Sequence, residues 1–138
     1  PQHSIDNPTL DLLEHYGFTY DSSYTPFNLL QLLFFPKKWK LWLKHFFSPL
    51  NSYHIRKNLL ELPVSSLLIP FVSLSVRILP KPFLWIYLKL LKLFYKQPVF
   101  YAHSWDFITL PQSKIDTYFP SDQFIAKLGW ILKIETQS

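Results

Sequence analysis

His103 is the residue of this chain best placed to move a proton. It follows residues 99–102, a Val-Phe-Tyr-Ala run whose length and β-forming side chains predict a core strand, and it opens the polar run His103-Ser104-Trp105-Asp106. An imidazole changes charge near neutral pH, so it can give or take a proton there, and a carboxylate beside it fixes which ring nitrogen carries the hydrogen. Asp106 is a possible partner of this kind; the plainer readings are a satisfied core histidine and a turn aspartate. Two other carboxylates stand at places where chemistry gathers. Asp21 ends the alternating run Phe18-Thr19-Tyr20 and precedes two serines, which suits either a site residue or an Asx-type turn. Glu61 lies inside the apolar run 58–66, where it needs a cleft or a basic partner such as Arg56. Trp105 offers a stacking face or ordinary core packing. His15, His45 and His54 read as surface residues.

The elements that must position these groups follow from pattern and punctuation. Asn7 before Pro8 predicts a helix start, and Leu10, Leu13 and Gly17 fit a helix over 8–16 closed by a C′ glycine. The run 18–20 predicts a short strand, and 58–66 predicts a buried strand around Glu61. Residues 27–55 form an aromatic, lysine-studded stretch interrupted by Pro36, read as short amphipathic helices of an insertion or lid. Pro82 opens a long helix in which Phe83, Ile86, Leu90, Leu93 and Phe94 form one stripe while Leu84, Leu88, Leu91 and Tyr95 widen it nearly all round, predicting burial on most sides. Ser121-Asp122 caps a last helix with Phe124, Ile125, Leu128, Ile131 and Leu132 on its apolar face.

Composition limits the function classes. The 138 residues suit one domain, 1–138, but are too few for a complete α/β barrel, which runs to about 200 or more. With 49% hydrophobic, 19% aromatic and 17% charged residues, a sizeable core is available and general disorder is disfavoured. The absence of cysteine removes disulfides, thiolate nucleophiles and cysteine-ligated zinc, and two glycines leave no Gly-rich phosphate loop. The net charge of +5 is concentrated in Lys37, Lys38, Lys40 and Lys44 and again in Lys81, Lys89, Lys92 and Lys96, interleaved with Leu, Phe and Trp. That interleaving favours a membrane surface over nucleic acid, with Trp39 and Trp42 as possible interfacial anchors. No apolar run reaches the length of a spanning helix, and residues 1–6 have neither an initiator Met nor a signal-peptide pattern, so the chain reads as an excised piece.

Three blocks carry a family resemblance. Residues 17–23, GFTYDSS, with a preceding short helix and an N-terminal proline, resemble a segment of the polysaccharide deacetylase family; 60–65, LELPVS, and 98–106, PVFYAHSWD, resemble two later blocks of that family in the same order. The resemblance implies an α/β fold, the C-terminal part of a distorted (β/α) barrel, with the basic aromatic segment inserted. It also implies metal-dependent hydrolysis of an N-acyl group on an amino sugar of a polysaccharide or glycolipid. On this resemblance His103 matches the histidine that protonates the leaving amine, Tyr101 the residue lining the acyl pocket, and Gln2 the position whose backbone N–H holds the oxyanion. Asp21, Glu61 and Trp105 would contact or orient the substrate. The divalent metal, zinc or similar, implies an Asp and an H-x-x-x-H pair that this sequence does not contain. The metal ligands and the base are therefore expected upstream, in the missing N-terminal part of the barrel, and the chain alone is expected to be inactive. The alternative is a non-catalytic module that binds a membrane surface or a glycan.

Overall fold

The computed structural model describes residues 5–29, 43, 45–110 and 114–137. Gln2 and Pro1, the lysines at 37, 38, 40 and 44, Trp39, Trp42 and residues 30–42 and 44 of the predicted 27–55 insertion lie outside the described residues. Where the sequence suggests one domain, the structure groups residues into two compact units: 1–70 with 89–99, and 71–88 with 100–138.

In the first unit, α1 (Asn7–His15) starts one residue earlier than the pattern predicts. Asp6 is the N-cap, its Oδ1 accepting the Thr9 N–H at 3.0 Å, and Pro8 falls in the first turn, where no N–H is needed. The helix ends at Gly17, whose φ of 76° is the left-handed conformation that a side chain would strain. Arg56 ties the loop at 55–58 to α1, bonding Asp11 at 2.9 Å and Asn7 at 3.3 Å, and the Asn58 N–H reaches Glu14 at 2.9 Å.

Beyond this helix, β1 (Tyr20–Asp21), β2 (Tyr53–His54) and β3 (Leu60–Glu61) form a small sheet in the order β1-β3-β2. Strands β1 and β3 are parallel, with Asp21 opposite Glu61, while β2 runs antiparallel to β3. A tight hairpin of β4 (Ser66–Leu67) and β5 (Ile69–Pro70) turns at Leu68, itself at a φ of 70°. The predicted buried strand at 58–66 is thus cut to its centre. Pro63 can donate nothing to a ladder, and the chain beyond it bonds irregularly, Val64 to Tyr24 and Ser65 to Val99. No closed barrel is present among the described residues, which contain this sheet and the hairpin.

The second unit holds α2 (Ser73–Ile78), begun by the Ser75 hydroxyl closing back on Val72, and α5 (Ser121–Gln137), which packs on it and buries Phe124 and Ile131. Between them come a 3₁₀ turn (Ser104–Phe107) and α4 (Lys114–Tyr118). Lys127 caps the end of α2, its ammonium donating to the carbonyls of Val76, Arg77 and Leu79 at 3.1, 2.6 and 2.9 Å. Burial lowers the pKa of that amine, with Lys81 nearby adding repulsion. The predicted strand at 99–102 is an extended segment rather than a full strand. In this unit it makes one parallel bridge, Tyr101 opposite Val72, closed by Tyr101 N–H to Phe71 and Ser73 N–H to Tyr101.

Helix α3 (Lys81–Phe94) is one continuous helix whose first half groups with the second unit and whose last turns group with the first. The sequence predicts burial on most sides, yet one apolar stripe is buried and the other is exposed. Leu84, Tyr87, Leu88 and Leu91 are buried, whereas Phe83, Ile86, Leu90, Leu93 and Phe94 are exposed. Both stripes obey helical spacing, so periodicity alone does not choose between them.

Candidate active site

The parallel pairing of β1 and β3 decides the surroundings of Asp21 and Glu61. Leu60 N–H reaches Thr19 at 2.9 Å and Leu62 N–H reaches Asp21 at 2.8 Å, so the two acids become direct neighbours across the strands. The chain turns immediately after β1, and Glu61 caps that turn: its Oε1 accepts the Ser23 N–H at 3.1 Å and the Tyr24 N–H at 2.9 Å. Ser22 donates its hydroxyl to the Leu62 carbonyl at 2.6 Å, and Ser23 donates its own to Asp21 Oδ1 at 2.9 Å. Each carboxyl therefore has one satisfied oxygen.

The remaining oxygens, Asp21 Oδ2 and Glu61 Oε2, are buried without a donor. Two ionised carboxylates are acceptors only, so this geometry is relieved when one carboxyl keeps its proton. Glu61 is 0% exposed, and burial, with the Asp21 carboxyl beside it, pushes its pKa up to about 8 against the opposing pull of the Tyr24 and Ser23 N–H groups. Burial also raises the phenols of Tyr24 and Tyr53, and a charge at Glu61 would raise them further. Arg56, the basic partner suggested by sequence, is engaged at Asp11 instead. His45, read as a surface residue, is buried and stacks on Tyr24 with ring centroids 4.1 Å apart; His15 and His54 are exposed as expected. A cleft of about 320 Å³ in the same unit is lined by Asn51, Lys96 and Gln97 among others, and by none of the candidate site residues.

In the second unit the structure brings Tyr101, His103 and Trp105 together. The bridge at Val72 holds Tyr101 in extended backbone, so that two residues later the half-buried His103 ring lies beside its phenol, Nδ1 at 3.2 Å from the Tyr101 hydroxyl. The imidazole also lies flat on the Trp105 indole, centroids 4.0 Å apart and planes 13° apart. Asp106 does not touch the ring. Its Oδ2 accepts the His103 backbone N–H at 2.8 Å, which makes it the cap of the 3₁₀ turn. Burial and the Asp106 charge raise the Tyr101 phenol, which stays protonated at neutral pH.

The residue that sequence reasoning missed is Arg77. It is buried, donates from Nη2 to the Asp106 carbonyl at 2.7 Å, lies 3.7 Å from the Asp106 carboxylate, and donates from Nη1 to Asp116 and, at 2.8 Å, to the Phe119 carbonyl. Its guanidinium lies over the Phe124 ring at 5.3 Å. Arg77 thus fixes the turn that presents His103. A lone arginine within the apolar run 62–80 was the available signal.

Among the described residues, no group of three or more His, Asp or Glu side chains is placed to hold a metal ion. The residues present do not form the metal site that the family resemblance implies. No family model, curated protein or solved structure matches the chain.

Proposed function

We propose that this chain is the C-terminal part of an N-deacylase acting on an amino sugar of a polysaccharide or glycolipid, with His103 as the residue that protonates the leaving amine. The observation that carries this reading is the setting of His103. The Tyr101 phenol occupies Nδ1 and the Trp105 indole holds the plane of the ring, which leaves Nε2 as the nitrogen for proton transfer. Water adds to the acyl carbonyl to give a tetrahedral adduct; as its C–N bond breaks, the His103 imidazolium, its Nδ1–H donated to the Tyr101 oxygen, delivers the Nε2 proton to the departing nitrogen, and the acyl group leaves as a carboxylic acid that then ionises. The pairing of the GFTYDSS and LELPVS blocks as adjacent parallel strands also supports the reading, since neighbouring barrel strands run parallel.

A divalent metal in such an enzyme polarises the acyl carbonyl and lowers the pKa of bound water. Its ligands are not supplied by the described residues, so the proposal assigns them, together with the general base, to polypeptide upstream of Pro1. The test is release of acetate from N-acetylglucosamine oligomers in the presence of zinc. A polypeptide extended upstream by the missing strands is expected to release acetate, and the 138-residue chain by itself is expected to release none. Acetate release by the short chain, or none by the extended one, contradicts the proposal.

A further inference from the structure

Helix α3 carries three stripes rather than two. Stepping three or four residues at a time, Leu84, Tyr87, Leu88, Leu91 and then Tyr95 are buried. Phe83, Ile86, Leu90, Leu93 and Phe94 form a second apolar stripe that stands in solvent, Phe83 at 63% and Leu93 at 77% exposure. The third stripe is Lys81, Trp85, Lys89, Lys92 and, just past the helix end, Lys96. Lys89 lies one turn from both Ile86 and Leu93, so the basic stripe borders the exposed apolar one. A helix that already buries one face has no internal need of a second apolar face, and contiguous exposed apolar surface of this kind marks an interaction site.

Charge identifies the occupant. Between residues 22 and 105 Glu61 is the one carboxylate, and it is buried, whereas eleven of the chain's fourteen Lys and Arg residues fall in that span. A second copy of the chain would set one lysine stripe against another. Nucleic acid would meet the lysines but leave the Phe and Leu side chains in water. An anionic bilayer offers both layers at the right depth: phosphates for ammonium groups on long stems, and an acyl boundary for the apolar stripe, with Trp85 suited to the headgroup level between them. No helix among the described residues is long and apolar enough to cross a membrane.

We propose that α3 docks flat on an anionic lipid bilayer, with Phe83, Ile86, Leu90 and Leu93 in the acyl boundary and Lys81, Lys89, Lys92 and Lys96 at the phosphates. The inference stands on α3 alone and does not depend on the chemistry at His103. The test is sedimentation of the full chain with vesicles of phosphatidylcholine or of an equal mixture of phosphatidylcholine and phosphatidylglycerol. Partition is expected to be at least about tenfold stronger into the anionic vesicles and to weaken as salt is raised. Lys89→Glu with Lys92→Glu, and separately Leu90→Gln with Leu93→Gln, change exposed positions and are each expected to lower partition roughly tenfold in protein whose cooperative melting shows it to be folded. Equal partition into both vesicle types overturns the proposal, as does binding that neither double variant weakens. Failure to bind either vesicle overturns it too, whether the chain is monomeric or forms a dimer, measured by light scattering, that the leucine variants dissolve.

Discussion

The two units solve the same physical problem, a fully buried ionisable side chain, in opposite ways. The charge of Arg77 is matched by partners: Asp116, Asp106 and the carbonyls of Asp106 and Phe119 engage its terminal nitrogens. Glu61 has no cation against it and another carboxyl beside it, so it gives up its charge and keeps its proton. The difference teaches what each residue is for. A paired charge pins a loop and holds the His103 turn; a protonated acid at a strand crossing supplies a neutral cap for the turn after β1.

The comparison breaks most visibly at Arg77. Arg77→Ala leaves two largely buried carboxylates without their cation, and a loss of about 3–5 kcal/mol is expected in urea unfolding. A loss below about 1 kcal/mol would mean that the cluster is not a structural pin. Glu61→Ala comes next, at roughly 2–4 kcal/mol, because it orphans the Ser23 and Tyr24 N–H groups and opens a cavity.

Glu61→Gln sharpens the contrast. Its amide keeps the acceptor for those N–H groups and adds a donor for Asp21 Oδ2, so stability near pH 4, where Glu61 is largely protonated folded or unfolded, is expected to stay within about 1 kcal/mol, and the variant is expected to be the more stable of the two at pH 7. The pH dependence should nevertheless change. The native carboxyl, raised to about 8, holds its proton over a range in which an unfolded Glu, with a pKa of about 4.3, has lost it. The folded state therefore binds more protons between those values. Its stabilising contribution is fully present below about 4.3 and is lost as pH rises toward 8. Melting temperatures followed across pH 4 to 9, about the span of those two pKa values, should fall for the native chain and run flatter for Glu61→Gln. A parallel pair of curves would contradict a proton retained on Glu61. Tyr101→Phe is the smallest change, about 1 kcal/mol or less in stability, and its effect belongs in deacylation by the extended polypeptide, where the imidazolium loses the oxygen that accepts its Nδ1–H and orients its ring, which lowers kcat more than it raises KM.

How far these features could be read in advance depends on whether local rules decide them. The first helix was legible because Pro8 and Gly17 bracket it, and only its cap moved, from Asn7 to Asp6, since both side chains can accept the same N–H. Glu61 stood out as an acid in an apolar run, but its partner could not be named, because Asp21 reaches it only through a parallel pairing 40 residues apart in sequence. The two apolar stripes of α3 are equivalent to a periodicity argument, which predicts burial of both, and tertiary packing buries only the stripe of Leu84, Leu88 and Leu91. At the candidate site, His103 was legible from its position after an extended segment. The expected ring partner, Asp106, was instead drawn into the backbone of the 3₁₀ turn and held there by Arg77, which leaves Tyr101, two residues before the histidine, beside the imidazole.

The claim that His103 donates the proton is tested most directly by His103→Ala in the upstream-extended polypeptide with zinc, assayed for acetate release across pH. The half-buried His103 has no hydrogen bond beyond those to Tyr101 and within its own turn, so the melting temperature should change little. The account predicts a fall in kcat of about 10²- to 10⁴-fold and loss of the alkaline limb of the pH profile, where a proton donor must remain protonated. An unchanged kcat with the alkaline limb intact would contradict it.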